Sequence, residues 1–187
     1  MRSFLPMFAL AFVTAAPALA TEVVPVPAFR SVQLRGGGEL TIRPGPVQRV
    51  TILEGSARIT RFRIQRDGQL RIDVCDGNCP RQYRLRVEIQ SPSAPDVAIA
   101  GGGLIRASGG FPAQRRLSAA ISGGGKIDML AVSAGSVNAA VHGGGLIAVR
   151  PRSALSAAVN GGGEIRYVGN PAVSSAINGG GAVRRTN

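Results

Sequence analysis

Tryptophan is absent from this chain of 187 residues, tyrosine occurs twice and phenylalanine six times. So few aromatic rings offer no stacking platform for single-stranded bases, and nucleic acid is not expected as a partner. Histidine occurs once, at His142, and cysteine twice, at Cys75 and Cys79. That stock is too small for a zinc centre built from several thiolates and imidazoles. The ten acidic residues do not gather into the oxygen cluster that calcium requires, so neither metal nor cofactor is expected. After the first twenty residues no apolar run approaches the roughly 20 residues of a membrane-spanning helix, so the mature chain is expected to lack a transmembrane segment. No stretch sustains a helical period.

The first residues carry an export pattern. Arg2 gives a positive start, Phe4 to Ala16 is almost wholly apolar, and Ala18-Leu19-Ala20 is the small-x-small pattern of a cleavage site. Residues 1–20 are read as a signal peptide cleaved after Ala20, which places the mature chain in the periplasm or outside the cell. Removing Arg2 lowers the net charge from +12 to +11. Such a charge attracts anionic partners. The arginines are nevertheless scattered singly, as at Arg61, Arg63, Arg66, Arg71, Arg84 and Arg86, which also describes the solvated face of a strand. In an oxidising compartment, Cys75 and Cys79 around the turn-forming Asp76-Gly77-Asn78 are expected to form a structural disulfide.

Glycine dominates what is present. Triplets stand at Gly36 to Gly38, Gly101, Gly102 and Gly103, Gly123, Gly124 and Gly125, Gly143, Gly144 and Gly145, Gly161, Gly162 and Gly163, and Gly179, Gly180 and Gly181. The last five start 22, 20, 18 and 18 residues apart, a period that marks a repeat architecture. Two residues before each of these five come Ile99, Ile121, Val141, Val159 and Ile177; four after the first glycine come Ile105, Ile127, Ile147, Ile165 and Val183. The opposite parity carries Ser118, Asn138, Ser156 and Ser174, then Ser122, His142, Asn160 and Asn178. Alternation of period two with β-branched residues on one side means strands. One such winding cannot bury its apolar face alone. The expectation is therefore an all-β solenoid whose triplets serve as structural corners and stack in register.

Residues 21–28 read as an extended lead-in and residues 29–95 as an irregular β region that caps the repeats of 96–187. Within that region Arg58 to Gln65 and Leu70 to Val74 read as strands, and Asp67-Gly68 between them signals a hairpin.

These features resemble the bacterial family of auto-transporter adhesins with a head GIN domain. The resemblance rests on Phe29-Arg30-Ser31-Val32, Gly68-Gln69-Leu70-Arg71-Ile72, Val87-Glu88-Ile89-Gln90-Ser91-Pro92 and the recurrent Ala-Ile/Val-x-Gly-Gly-Gly-x-Ile units. It implies a right-handed parallel β-helix and an envelope or extracellular location. It implies no catalytic residues.

The residues themselves favour none. Gly123-Gly124-Gly125-Lys126 is followed by Ile127 and lacks P-loop spacing. A glycosidase needs two carboxylates roughly 5 to 10 Å apart, whereas Asp128 and Glu164 stand two windings apart with no acid between them. The candidate binding face is Ser122, His142, Asn160 and Asn178, flanked by Lys126 and Glu164. It suits an extended glycan or anionic envelope polymer, and stacked amides that only stabilise the winding would leave the same pattern. The expected function is a non-enzymatic, adhesin-like binding or structural module of the envelope. The alternatives are a carbohydrate-active enzyme on a β-helix and a basic binder of anionic polymers. The C-terminal edge of the solenoid is exposed to self-association, with Arg184 and Arg185 as charged guards.

Overall fold

The computed structural model of the protein describes residues 21–75 and 77–186. The signal segment expected at 1–20 lies outside the described residues. Among the described residues there are fifteen strands in one sheet, and no helix is long and apolar enough to cross a membrane.

Two parallel ladders make up most of the sheet. The first wall runs β6 (Gln69–Asp73), β2 (Ser31–Arg35), β8 (Asp96–Gly101), β10 (Gln114–Gly123), the end of β11 (Lys126–Gly143), the end of β12 (Leu146–Asn160) and β14 (Ala172–Asn178). The second wall runs β7 (Arg86–Ser91), β3 (Glu39–Pro44), β9 (Leu104–Ala107), the starts of β11 and β12, β13 (Glu164–Tyr167) and β15 (Ala182–Arg185).

The glycine triplets join one wall to the other and lie one above the next. Gly101, Gly123 and Gly143 are register partners, and Gly144 N–H donates to the Gly123 carbonyl at 3.1 Å. Gly143 has a φ of +118°, and a Cβ there would stand 2.6 Å from the Gly123 oxygen. A side chain is therefore excluded by both backbone conformation and close approach.

Stacking turns the apolar columns into a continuous core. Ile99, Ile121, Val141 and Val159 line the first wall from within, and Ile105, Ile127, Ile147 and Ile165 line the second, all buried. Burying one such side chain contributes about 1.5–3 kcal/mol. Met129, Val132 and Ala134, between the two walls, close the same core.

The parallel sheet of the implied β-helix is corrected for the region before the repeats: the sheet as a whole is mixed, and its antiparallel pairs lie within residues 22–90. β5 (Arg61–Ile64) runs antiparallel to β6, β4 (Arg49–Glu54) antiparallel to β7, and β1 (Glu22–Val24) antiparallel to β4. Asp67 and Gly68 supply the reason for the first of these. Gly68 N–H donates to the Gln65 carbonyl and Gly68 takes a φ of +78°, so the chain reverses within a tight hairpin and returns alongside itself. The strand before this turn is also shorter than the apolar alternation suggests. Ser56 accepts from Ile59 and Thr60 through its carbonyl, which coils the chain until Arg61.

β2 lies between β6 and β8, so a segment near the start of the chain sits between two later ones. The early triplet is stacked with the others: Gly36 N–H donates to Ala100, and Leu104 N–H to Gly38. Between β6 and β7 the corner is instead made by a longer loop in which Cys75 and Cys79 form a disulfide, their Cα atoms 5.8 Å apart.

Candidate binding surface

The outer side of the first wall is built from the residues that alternate with the buried ones. Three columns cross β10, β11, β12 and β14. Ser118, Asn138, Ser156 and Ser174 form one column; Ala120, Ala140, Ala158 and Ala176 form the next; Ser122, His142, Asn160 and Asn178 form the third. Ala98 extends the alanine column onto β8. Each column rises by about 4.8 Å per strand, and columns two residues apart on a strand are separated by roughly 6.6 Å. The result is a floor of methyl groups between two polar rails about 13 Å apart.

Four of the residues expected to form the binding face lie together on one rail, and two of the links between them are direct. Asn178 Nδ2 donates to Asn160 Oδ1 at 3.1 Å, and Asn160 Nδ2 lies 3.1 Å from His142 Nε2. Ser122 is the next residue of that column, in register with His142. Lys126 and Glu164 stand elsewhere, on the second wall, in a column with Leu146 between them.

Glu164 is engaged there. Arg166 donates to its Oε2 at 2.8 Å, and Arg184 Nε lies 3.8 Å from Oε1. Hydrogen bonding from Arg166 holds the Glu164 carboxyl below the usual carboxylate range, and the charges of Arg166 and Arg184 act in the same direction. Asp128 accepts from the backbone N–H of Leu130 at 3.2 Å, and Asp96 from that of Ser118 at 2.7 Å. At the other end of the first wall Asp73 is met by Arg35, Arg63 and Arg71 at 3.9, 3.2 and 3.0 Å. Among the described residues no group of three or more His, Cys, Asp or Glu side chains could hold a metal ion.

The alanine floor was not singled out from the sequence. Its signal is the residue immediately before the aliphatic position in each repeat, which is alanine five times, at Ala98, Ala120, Ala140, Ala158 and Ala176.

No curated protein matches the chain. Several solved structures are similar to it. One is a protein described as a "putative adhesin" from Bacteroides fragilis, 18% identical, with a TM-score of 0.45, covering 89% of this chain and 96% of its own. Another is a "Putative lipid binding protein" from Parabacteroides distasonis, 16% identical, with a TM-score of 0.39, covering 90% and 96%. A third is a "putative cell adhesion protein" from Clostridium sporogenes, 11% identical, with a TM-score of 0.38, covering 89% and 97%. Residues 96–171, from the start of β8 past the end of β13, match the model of the family described as "Putative auto-transporter adhesin, head GIN domain", the family that the sequence resembles.

Proposed function

We propose that the chain is a non-enzymatic, exported binding module of the bacterial cell envelope, wound as a right-handed β-helix, and that the outer side of its first wall carries the ligand. The observation that carries this reading is the methyl floor of Ala98, Ala120, Ala140, Ala158 and Ala176, flanked in register by Ser and Asn rails. A floor of this kind accepts the C–H face of a sugar ring, and the rails offer hydroxyl and amide groups to its equatorial hydroxyls. Because the pattern repeats strand by strand, it suits an extended glycan lying along the axis, with successive sugars over successive windings.

The alternative of a carbohydrate-active enzyme has less support. Asp96, Asp128 and Glu164 are each engaged in local hydrogen bonds, and Asp96 lies on a different wall from the other two. Self-association belongs to the same proposal as a secondary element. At the outer edge of β14, Val173 and Ile177 are 41% and 44% exposed, and a solution mass of one chain removes that element.

A glycan array probed at low and at high salt tests the binding reading. Retention at both concentrations on extended neutral glycans supports it, whereas binding that vanishes with salt supports the anionic-polymer reading. Ala158→Lys places a long side chain across the floor without entering the core, and is expected to abolish glycan binding with the melting temperature kept. Silence of the array, or undiminished binding by Ala158→Lys, overturns the proposal.

A further inference from the structure

Acidic residues are missing from 97–127 and again from 129–163, although these stretches hold Arg106, Arg115, Arg116, Lys126, Arg150 and Arg152. Three of those arginines belong to one corner of the winding, where the chain enters the first wall. Gln114 pairs with Ala134 and Arg116 with Ser136, so Gly135 stands beside Arg115. A Cβ on Gly135 would lie 3.0 Å from the Arg115 carbonyl oxygen.

On the other side of Gly135 the register shifts. Ala134 pairs with Pro151 but Ser136 with Ala154, so Arg152 and Ser153 together oppose the single glycine. This is a β-bulge, a device that re-aims a side chain and interrupts the ladder. Gly135 and Ser136 thus lie between Arg115–Arg116 in one winding and Arg152 in the next but one. The flanking backbones are about 10 Å apart, two strand spacings. An open cleft of about 380 Å³ is lined by Arg115, Arg116 and Ser136, on the Arg115–Arg116 side of this gap.

Several arginines elsewhere are paired with acids. Arg43 is engaged by Glu88, Arg86 by Glu39, Arg71 by Asp73 and Arg166 by Glu164. Among the described residues Arg115, Arg116 and Arg152 have no ion pair, and all three are exposed. Guanidinium groups present planar forks that match tetrahedral oxyanions, and their charge is undiminished at any physiological pH. Ser136 adds a hydroxyl at the floor of the gap, where it donates to the Arg115 carbonyl at 3.4 Å.

We propose that Arg115, Arg116 and Arg152, set around the Gly135–Ser136 gap, form a binding site for a phosphate-type oxyanion. The site lies at a corner of the winding, apart from the alanine floor, and does not depend on glycan binding there. The phosphate belongs to a lipid headgroup or is free in solution, and both sources present the same chemistry to the arginines.

The test uses the chain with two probes: inorganic phosphate by calorimetry, and phosphatidylcholine vesicles with and without phosphatidic acid by cosedimentation. Binding to inorganic phosphate or to the phosphatidic acid vesicles, both of which present an anionic phosphate monoester or free phosphate, is expected, with vesicles of zwitterionic phosphatidylcholine alone, whose phosphodiester is neutralised by choline, left unbound. Binding to both places recognition in the oxyanion itself, and binding to the phosphatidic acid vesicles alone identifies the headgroup as the source. Arg115→Ala and Arg152→Ala are each expected to weaken binding about tenfold, the effect of losing one charge-assisted hydrogen bond. Arg66→Ala removes the same charge from the distant turn between β5 and β6 and is expected to change affinity less than about twofold. Ser136→Asp supplies a carboxylate inside the gap and is expected to abolish phosphate binding with the melting temperature held or raised. Failure of both probes overturns the proposal, as does an equal loss in Arg66→Ala and Arg115→Ala. Phosphate binding retained in Ala158→Lys, with glycan binding lost, separates this site from the floor.

Discussion

Asn178 donates through Nδ2 to Oδ1 of Asn160 at 3.1 Å, one strand step along the first wall. Asn160 Nδ2 in turn lies 3.1 Å from His142 Nε2. Asn160 takes part in both bonds of this three-residue ladder. Asn160→Ala is expected to lower stability by about 1–2 kcal/mol in urea unfolding, the loss of two ordinary hydrogen bonds. His142→Asn keeps an amide in the column and is expected to stay within about 0.5 kcal/mol of the parent. Equal losses in the two variants would mean that the ladder contributes nothing through its bonds.

Two adjacent glycines provide a sharper contrast. Gly143 takes a φ of +118° and closely approaches the Gly123 oxygen, whereas a Cβ on Gly144 would meet nothing within 4 Å. Gly143→Ala is expected to cost about 3 kcal/mol or more, from strained backbone and collision with a neighbouring winding. Gly144→Ala is expected to be close to neutral. Thermal melts of the two variants check this, and a tolerant Gly143→Ala would remove the close stacking of triplets.

The interior and the outer edge of the same fold should also respond differently to truncation. Ile147 is fully buried between Ile127 and Ile165, while Ile177 is 44% exposed on β14. Ile147→Ala leaves a cavity in the column and is expected to cost about 2–5 kcal/mol. Ile177→Ala removes less buried area and is expected to cost under about 1.5 kcal/mol. Denaturant midpoints with unchanged slopes would measure both.

The columns of the repeats were legible because successive repeats pair in register after nearly the same number of residues. Ile121, Val141 and Val159 could be aligned by counting from the glycines, and so could the rail from Ser122 to Asn178. Counting fails where spatial order departs from chain order. β2 lies between β6 and β8 although residues 36–68 separate its end from β6 in the sequence. Gly36 to Gly38 belong with the other triplets for a reason that no constant period reveals. The antiparallel strands at that end were only partly visible, through the turn at Asp67 and Gly68. The bulge at Arg152 and Ser153 is not legible in the sequence because it shifts the register by one residue between triplets, where only the single Gly135 stands opposite it.

Acid should act on the second wall through Glu164. Its carboxyl titrates lower in the folded chain than in the unfolded one, first through the hydrogen bond from Arg166 and then through the charges of Arg166 and Arg184. A group with a depressed folded value favours the folded state while ionised. That contribution is complete above the unfolded carboxylate range and disappears as pH falls through the folded value. The pairs are solvent-exposed, so the effect on unfolding is small and is best read at the residue itself. Carbon-13 detection of the Glu164 carboxyl should give a titration midpoint below that of an unpaired glutamate. Arg166→Gln should raise this midpoint markedly. Arg184→Gln should raise it less, because Arg184 stands 3.8 Å from the carboxylate whereas Arg166 donates at 2.8 Å. A midpoint indifferent to Arg166→Gln would show that the depression has another source.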